Sequence, residues 1–117
     1  MNTINEIAAR LSSLCEKQEF LQAYEELFSD HAESIDPMNN NVPITGLGAL
    51  MDRERQFLER TEIHGIKVSE PSFAGNYFCV TMSLDFEAKD MGRQKIEELC
   101  VYKVDKGKIV SQQFFIG

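Results

Sequence analysis

The sequence predicts an α+β domain. Three N-terminal helices cover one face of a curved, mostly antiparallel sheet and enclose a pocket, in the order α-α-β-α-β-β-β-β. Two observations predict it. Apolar residues recur at helical spacing in the first half of the chain, whereas alternation of apolar and polar residues dominates the second half. Helices that lead and strands that follow on short turns make a meander covered on one face, not a series of strand–helix units.

Thr3 and Glu6 have capping-box spacing, and Ile4, Ile7, Ala8, Leu11, Leu14 and Cys15 form the stripe of a first helix. The phase breaks after Glu16. Phe20, Ala23, Tyr24, Leu27 and Phe28 make a second stripe, which predicts a tight joint near Gln18 and a helix end near Ser29 and Asp30. His31 to Asp36 reads as a short strand with Ala32, Ser34 and Asp36 on one face, and Pro37 holds its end extended. Pro37 to Pro43 is a loop by composition. Thr45 is placed to cap a third helix to about Thr61, with Leu47, Leu50, Met51, Phe57 and Leu58 on its apolar face. Strands then run over Ile63–Glu70, Tyr77–Lys89, Lys95–Val104 and Ile109–Ile116. Pro71–Asn76, Asp90–Gly92 and Asp105–Lys108 are the turns between them.

A chain of 117 residues is the length of one domain, read here as 1–117, and can bury a core without staples. The net charge is −7 and the basic residues are scattered, so the chain lacks the basic face that nucleic acid requires and is repelled by anionic membranes. The start, Met1 to Glu6, has no basic segment followed by an apolar run, so no signal peptide is expected, and no apolar run is long enough to span a bilayer. Cys15, Cys79 and Cys100 are too few and too widely spaced for a disulfide framework or a zinc site. They read as core-filling thiols of a cytoplasmic protein. No phosphate loop or dinucleotide fingerprint is present, and no cofactor and no metal are expected.

Three short helices cannot fill the concave face of a long twisted sheet, so a cavity is expected between them. Phe28, Met51, Phe57, Phe78, Val80, Met82, Leu84, Phe114 and Ile116 are the candidate apolar walls. The alternative is that these side chains pack solidly on one another.

Three stretches together resemble the nuclear-transport-factor-2-like superfamily, in particular its SnoaL-like and ketosteroid isomerase-like branch. They are Leu27-Phe28-Ser29-Asp30-His31-Ala32-Glu33-Ser34-Ile35-Asp36-Pro37, Ile44-Thr45-Gly46-Leu47, and the final hairpin with Tyr102-Lys103-Val104, Gly107-Lys108-Ile109-Val110 and Phe114-Phe115. The resemblance covers essentially the whole chain. It implies a cone-shaped fold that hosts isomerases, cyclases, dehydratases, hydrolases and non-catalytic modules.

In ketosteroid isomerases the aspartate of the Asp-Pro pair is the general base, and Asp36 matches it. The other reading of Asp36 is a cap that accepts backbone hydrogen bonds at the loop. The family's oxyanion-hole tyrosine and protonated acid are not matched: their positions fall near Ser12 and at Cys100 or Leu99. Val110, Gln112, Phe114 and Ile116 are expected to point inward. Gln112, Tyr102, Tyr24, Glu98 and Cys100 are candidate polar groups of the pocket, each with a bland alternative. His31 and His64 read as surface residues. The outer sheet face, Tyr77, Cys79, Thr81, Ser83 and Asp85, is half apolar, and the family commonly pairs through this face, so a homodimer is expected.

Two functions stand. The first is an enzyme without cofactor that uses Asp36 as base on a small, largely apolar carbonyl compound, by proton transfer or an aldol-type cyclisation. The second is a non-catalytic ligand-binding or dimeric interaction module.

Overall fold

A computed structural model describes residues 3–117. Met1 and Asn2, where the N-terminal reading begins, lie outside the described residues. Thr3 caps α1 (Ile4–Glu16) with the reciprocal bonds of a capping box: the Glu6 N–H donates to Thr3 Oγ1 at 3.2 Å and the Thr3 N–H to Glu6 Oε1 at 2.9 Å. Gln18 turns the chain with φ at 62°, the joint that the phase break predicts. A short α2 (Phe20–Leu27) follows, tied back to α1 by the Arg10 guanidinium on both oxygens of Glu26, at 2.7 and 2.9 Å.

The second helix stops earlier than its stripe suggests. Phe28 is already extended and opens β1 (Phe28–Ile35), where it pairs with Ile109. Its ring is buried against Tyr24, at 4.7 Å between centroids, and Tyr102, at 6.5 Å. Packing and sheet hydrogen bonds outweigh one more residue of helix here. The inner face of β1 is Phe28, Ala32 and Ser34. A single 3₁₀ turn (Pro37–Asn39) leads to β2 (Ile44–Thr45). Thr45 is therefore not a helix cap. It pairs with Glu33, and Gly46 precedes α3 (Leu47–Glu59) at φ 104°, a conformation that favours glycine.

The remaining strands are β3 (Thr61–Val68), β4 (Ser72–Ala74), β5 (Tyr77–Ala88), β6 (Gly92–Asp105) and β7 (Lys108–Ile116). Segment 71–76 is thus not all turn: β4 folds onto the start of β5 across Gly75 and Asn76. The sheet order is β2-β1-β7-β6-β5-β3, and only the β1–β7 pair is parallel. The result is the predicted fold, three helices on an open, mostly antiparallel sheet, with two short strands and a 3₁₀ turn added.

One end of the concave face is solid. Ile7, Ala8, Leu11, Leu14, Leu27, Phe78, Val80, Cys100, Val104 and Ile109 belong to one buried cluster. Phe78 stacks on Tyr102 at 4.9 Å. A bulge in β7 sets the phase of the last strand: Val104 pairs with Ile109, but Lys103 pairs with Ser111, leaving Val110 as the extra residue. Ile109 is therefore the inward residue at the hairpin and Val110 is not, whereas Gln112 regains the expected inward phase. Among the described residues no helix is long and apolar enough to cross a membrane.

Candidate functional site

The helices leave the other end of the concave face open, and a cavity of about 320 Å³ lies there. That volume falls at the lower end of small-molecule pockets, about 300–1,000 Å³. Along β5 the inward residues change from packed Phe78 and Val80 to cavity-lining Met82, Leu84 and Phe86. On β6 the lining is Ile96, Glu98 and Tyr102. Helix α3 closes the side with Leu50, Arg53, Glu54 and Phe57, whose spacing of three, four and seven residues places them on one helical face. Phe57 packs on Phe86 at 5.9 Å. Met38, Gln56 and Arg60 are the exposed lining residues and mark the opening.

Of the residues singled out in the sequence, Asp36, Tyr24, Phe28, Phe57, Met82, Leu84, Glu98, Tyr102, Gln112 and Phe114 line this cavity. Met51, Phe78, Val80, Cys100 and Ile116 do not. Phe78, Val80 and Cys100 point to the correct face but stand at its filled end. Met51 is half-buried on α3 outside the cavity lining, and Ile116 is 38% exposed. Ser12 stays within α1, its hydroxyl buried without a partner, and does not reach the cavity. His31 is exposed, and His64 sits at the surface with Glu87 Oε1 at 3.3 Å from its Nε2.

Asp36 combines the two geometries weighed for it. Its Oδ1 accepts the Met38 N–H at 2.8 Å and caps the 3₁₀ turn. Its Oδ2 lies 3.5 Å from Arg53 Nη2, and the carboxylate also forms part of the cavity wall.

The floor is a polar trio. The Gln112 amide, 2% exposed, donates from Nε2 to Tyr24 Oη at 2.8 Å and to Ser34 Oγ at 3.0 Å. The amide and the two hydroxyls hold four polar hydrogens, and these two contacts use two of them. The same count holds for either orientation of the amide. Among the described residues no other acceptor takes the remaining two. Burial pushes the Tyr24 and Tyr102 phenols up, so both stay protonated.

Two further carboxyls line the cavity: Glu98, a candidate polar group of the pocket, and Glu54, which the sequence reading did not single out. Glu54 is pushed up to about 7, first by burial and further by the charge of Asp36, with Arg53 opposing. Glu98 is also pushed up to about 7, by burial, then by Asp36, with a smaller part from Glu54. Cys100 Sγ lies 3.9 Å from Glu98 Oε1, and burial pushes the Cys15 thiol up to about 12, so that it is inert. Glu98 was legible as a member of the Cys100 face. Glu54 carried a signal that passed unread: it stands four residues after Leu50 and three before Phe57, on the buried stripe.

The fold and the cavity define a cone-shaped domain built around a small-molecule-sized pocket. Residues 2–116 match the family model described as a SnoaL-like domain, and the chain belongs to that family. A crystal structure from Mesorhizobium loti, provisionally described as a SnoaL-like polyketide cyclase with the further label carbohydrate phosphatase, is 29% identical. The alignment covers 97% of this chain and 98% of that one, with a TM-score of 0.88. A protein with a ketosteroid isomerase-like fold from Catenulispora acidiphila, crystallised in complex with trimethylamine, aligns at TM-score 0.76 and 12% identity over 94% of this chain and 84% of that one. An LEH-like epoxide hydrolase from M. tuberculosis aligns at TM-score 0.75 and 11% identity over 97% and 82%. The last two likenesses show the fold alone. No curated protein matches the chain.

Proposed function

We propose that the cavity binds a small, largely apolar carbonyl compound and moves a proton on the carbon beside the carbonyl, by isomerisation or an aldol-type cyclisation. Asp36 is the general base. The Asp36 carboxylate takes the proton, and the C–H electron pair moves toward the carbonyl oxygen to give an enolate; the proton then returns at a second carbon, or the enolate carbon attacks a second carbonyl, whose oxygen takes the electron pair of its broken π bond and the proton from Asp36. The observation that carries this reading is the arrangement of one cavity: Asp36 in the wall, and a floor with two polar hydrogens free to hold the carbonyl oxygen. Tyr24, Ser34 and Gln112 stand in for the oxyanion donors missing at the family's usual positions. The polyketide-cyclase description of the Mesorhizobium relative supports the same class of chemistry.

The test is deuterium exchange. Small cyclic ketones incubated with the protein in heavy water should lose their α-proton signals faster than with buffer alone, and this enhancement should be absent in a Tyr24→Phe, Ser34→Ala, Gln112→Leu triple variant, its fold checked by its amide spectrum, which removes every donor of the floor. Binding without any exchange across such a series would instead favour a non-catalytic pocket. One observation supports that second reading: Asp36 is already engaged by Met38 N–H and Arg53.

The chain acts as a homodimer in this proposal. On the outer face Thr81, Leu99 and Phe115 are neighbours across three strands, and Leu99 and Phe115 are 41% and 48% exposed; Tyr77, four residues before Thr81 on the same face of β5, is 45% exposed. A second copy laid on this patch removes its apolar area from water. Leu99→Lys should convert a dimer to a monomer in light scattering; a wild-type monomer at micromolar concentration contradicts the proposal. The free thiols of Cys15, Cys79 and Cys100 support a reducing, cytoplasmic setting, and residues 1–117 act as one domain.

A further inference from the structure

The cavity holds more carboxyl groups than its own cations balance. Asp36 has Arg53 beside it, and Arg60 stands exposed at the opening with no hydrogen bond to a cavity carboxyl. Among the described residues Glu54 makes no side-chain hydrogen bond, and Glu98 meets only the Cys100 thiol. Both line a cavity whose walls also carry the aromatic rings of Tyr24, Phe28, Phe57, Phe86, Tyr102 and Phe114 among aliphatic side chains. A carboxyl withdrawn from water without a partner is neutralised either by a proton or by an incoming positive charge. Ring faces add attraction for a cation and none for a neutral isostere.

We infer that the ligand of this cavity carries a protonated or quaternary amine, held by Glu54 and Glu98 against the aromatic wall. The inference rests on reading the cavity as a ligand site and narrows the substrate to a small carbonyl compound with a cationic nitrogen. The ligand's charge takes the place of the proton that these carboxyls otherwise hold. The titratable and charged groups that face the pair are Cys15 of α1, Tyr24 of α2, Asp36 just after β1, Arg53 of α3, Arg60 just after α3, and Cys100 and Tyr102 of β6. Burial pushes the thiols and phenols up and keeps them neutral. Asp36 and Arg53 therefore oppose one another, and Glu54 and Glu98 decide the sign of the cavity. Burial, with the charge of Asp36, pushes both up to about 7, so cation affinity should rise as pH passes upward through that value.

The probes are choline, a quaternary ammonium that cannot itself titrate, and 3,3-dimethylbutan-1-ol, its neutral isostere. Both are titrated into the full chain and followed by NMR shifts at pH 6 and pH 8. Choline should bind about tenfold tighter than the alcohol at pH 8 and lose about tenfold at pH 6, while the alcohol is unaffected. A Glu54→Gln, Glu98→Gln double variant, its fold checked by its amide spectrum, should lose the preference for choline and keep its affinity for the alcohol. Equal affinity for the two probes, a choline affinity independent of pH, or no binding of either overturns the inference. The titration reads binding alone. Ketone exchange without a preference for choline sinks this inference and leaves the proposed reaction standing, whereas a preference for choline without exchange does the reverse.

Discussion

Replacing Glu54 and Glu98 together by glutamine should stabilise the protein at pH 8 and leave its stability nearly unchanged at pH 4. Each carboxyl is pushed from 4.5 up to about 7 in the folded chain. Below 4.5 both groups are protonated in the folded and the unfolded state, so their contribution to stability is fully present. As pH rises through the window between 4.5 and about 7, the unfolded chain ionises first, and stability is lost progressively. A shift of this size corresponds to about 3 kcal/mol for each group. The comparison is a difference between two proteins in urea unfolding at each pH, so the other titrating groups cancel. A difference below about 1 kcal/mol at pH 8 would mean that water reaches both carboxyls.

Asp36→Asn should lower any proton-transfer rate by about 10²–10⁴-fold while changing ketone affinity little, because a positioned base contributes that much and an amide keeps the shape. Asparagine also retains an oxygen for the Met38 N–H, so the 3₁₀ turn stays capped. The ion pair lost with Arg53 is long, 3.5 Å, and partly exposed, so it contributes less than about 1 kcal/mol. The single-turnover exchange rate and the melting temperature therefore separate the two roles of Asp36. A base gives a large loss of rate on an unchanged fold, whereas a cap alone gives an unchanged rate, because asparagine still accepts the Met38 N–H.

The sequence made the sheet legible wherever one face was buried. Alternation from Tyr77 to Ala88 and the two hairpin turns gave β5, β6 and β7 with few errors of boundary. Local signals failed where a tertiary partner decided the outcome. Phe28 leaves its helical stripe because β7 and two aromatic rings take it, and Val110 yields the inward position to Ile109 because of a bulge that alternation does not encode. The cavity was legible as a face but not as a depth. Phe78 and Val80 share the phase of Met82 and Leu84, and the reach of the helices fills the face over one pair and opens it over the other. Glu54 was missed because a charged residue on a helix is ordinarily solvent-facing. Its place between Leu50 and Phe57 was the available sign that this helix turns charge inward. Gln112 was legible from strand phase, but its bonds to Tyr24 and Ser34 join residues 88 and 78 positions apart, a separation that no local pattern encodes.

A cation-binding cavity of this kind must be dry enough to hold acids near neutrality, and carboxyl-carbon NMR of Glu54 and Glu98 against pH tests that most directly, with the glutamine variants assigning the signals. Midpoints near 7 for both are the predicted result. Midpoints at the ordinary glutamate value, about 4.3, would show two solvated side chains, and the cavity would lose the charge pattern on which its ligand has been read.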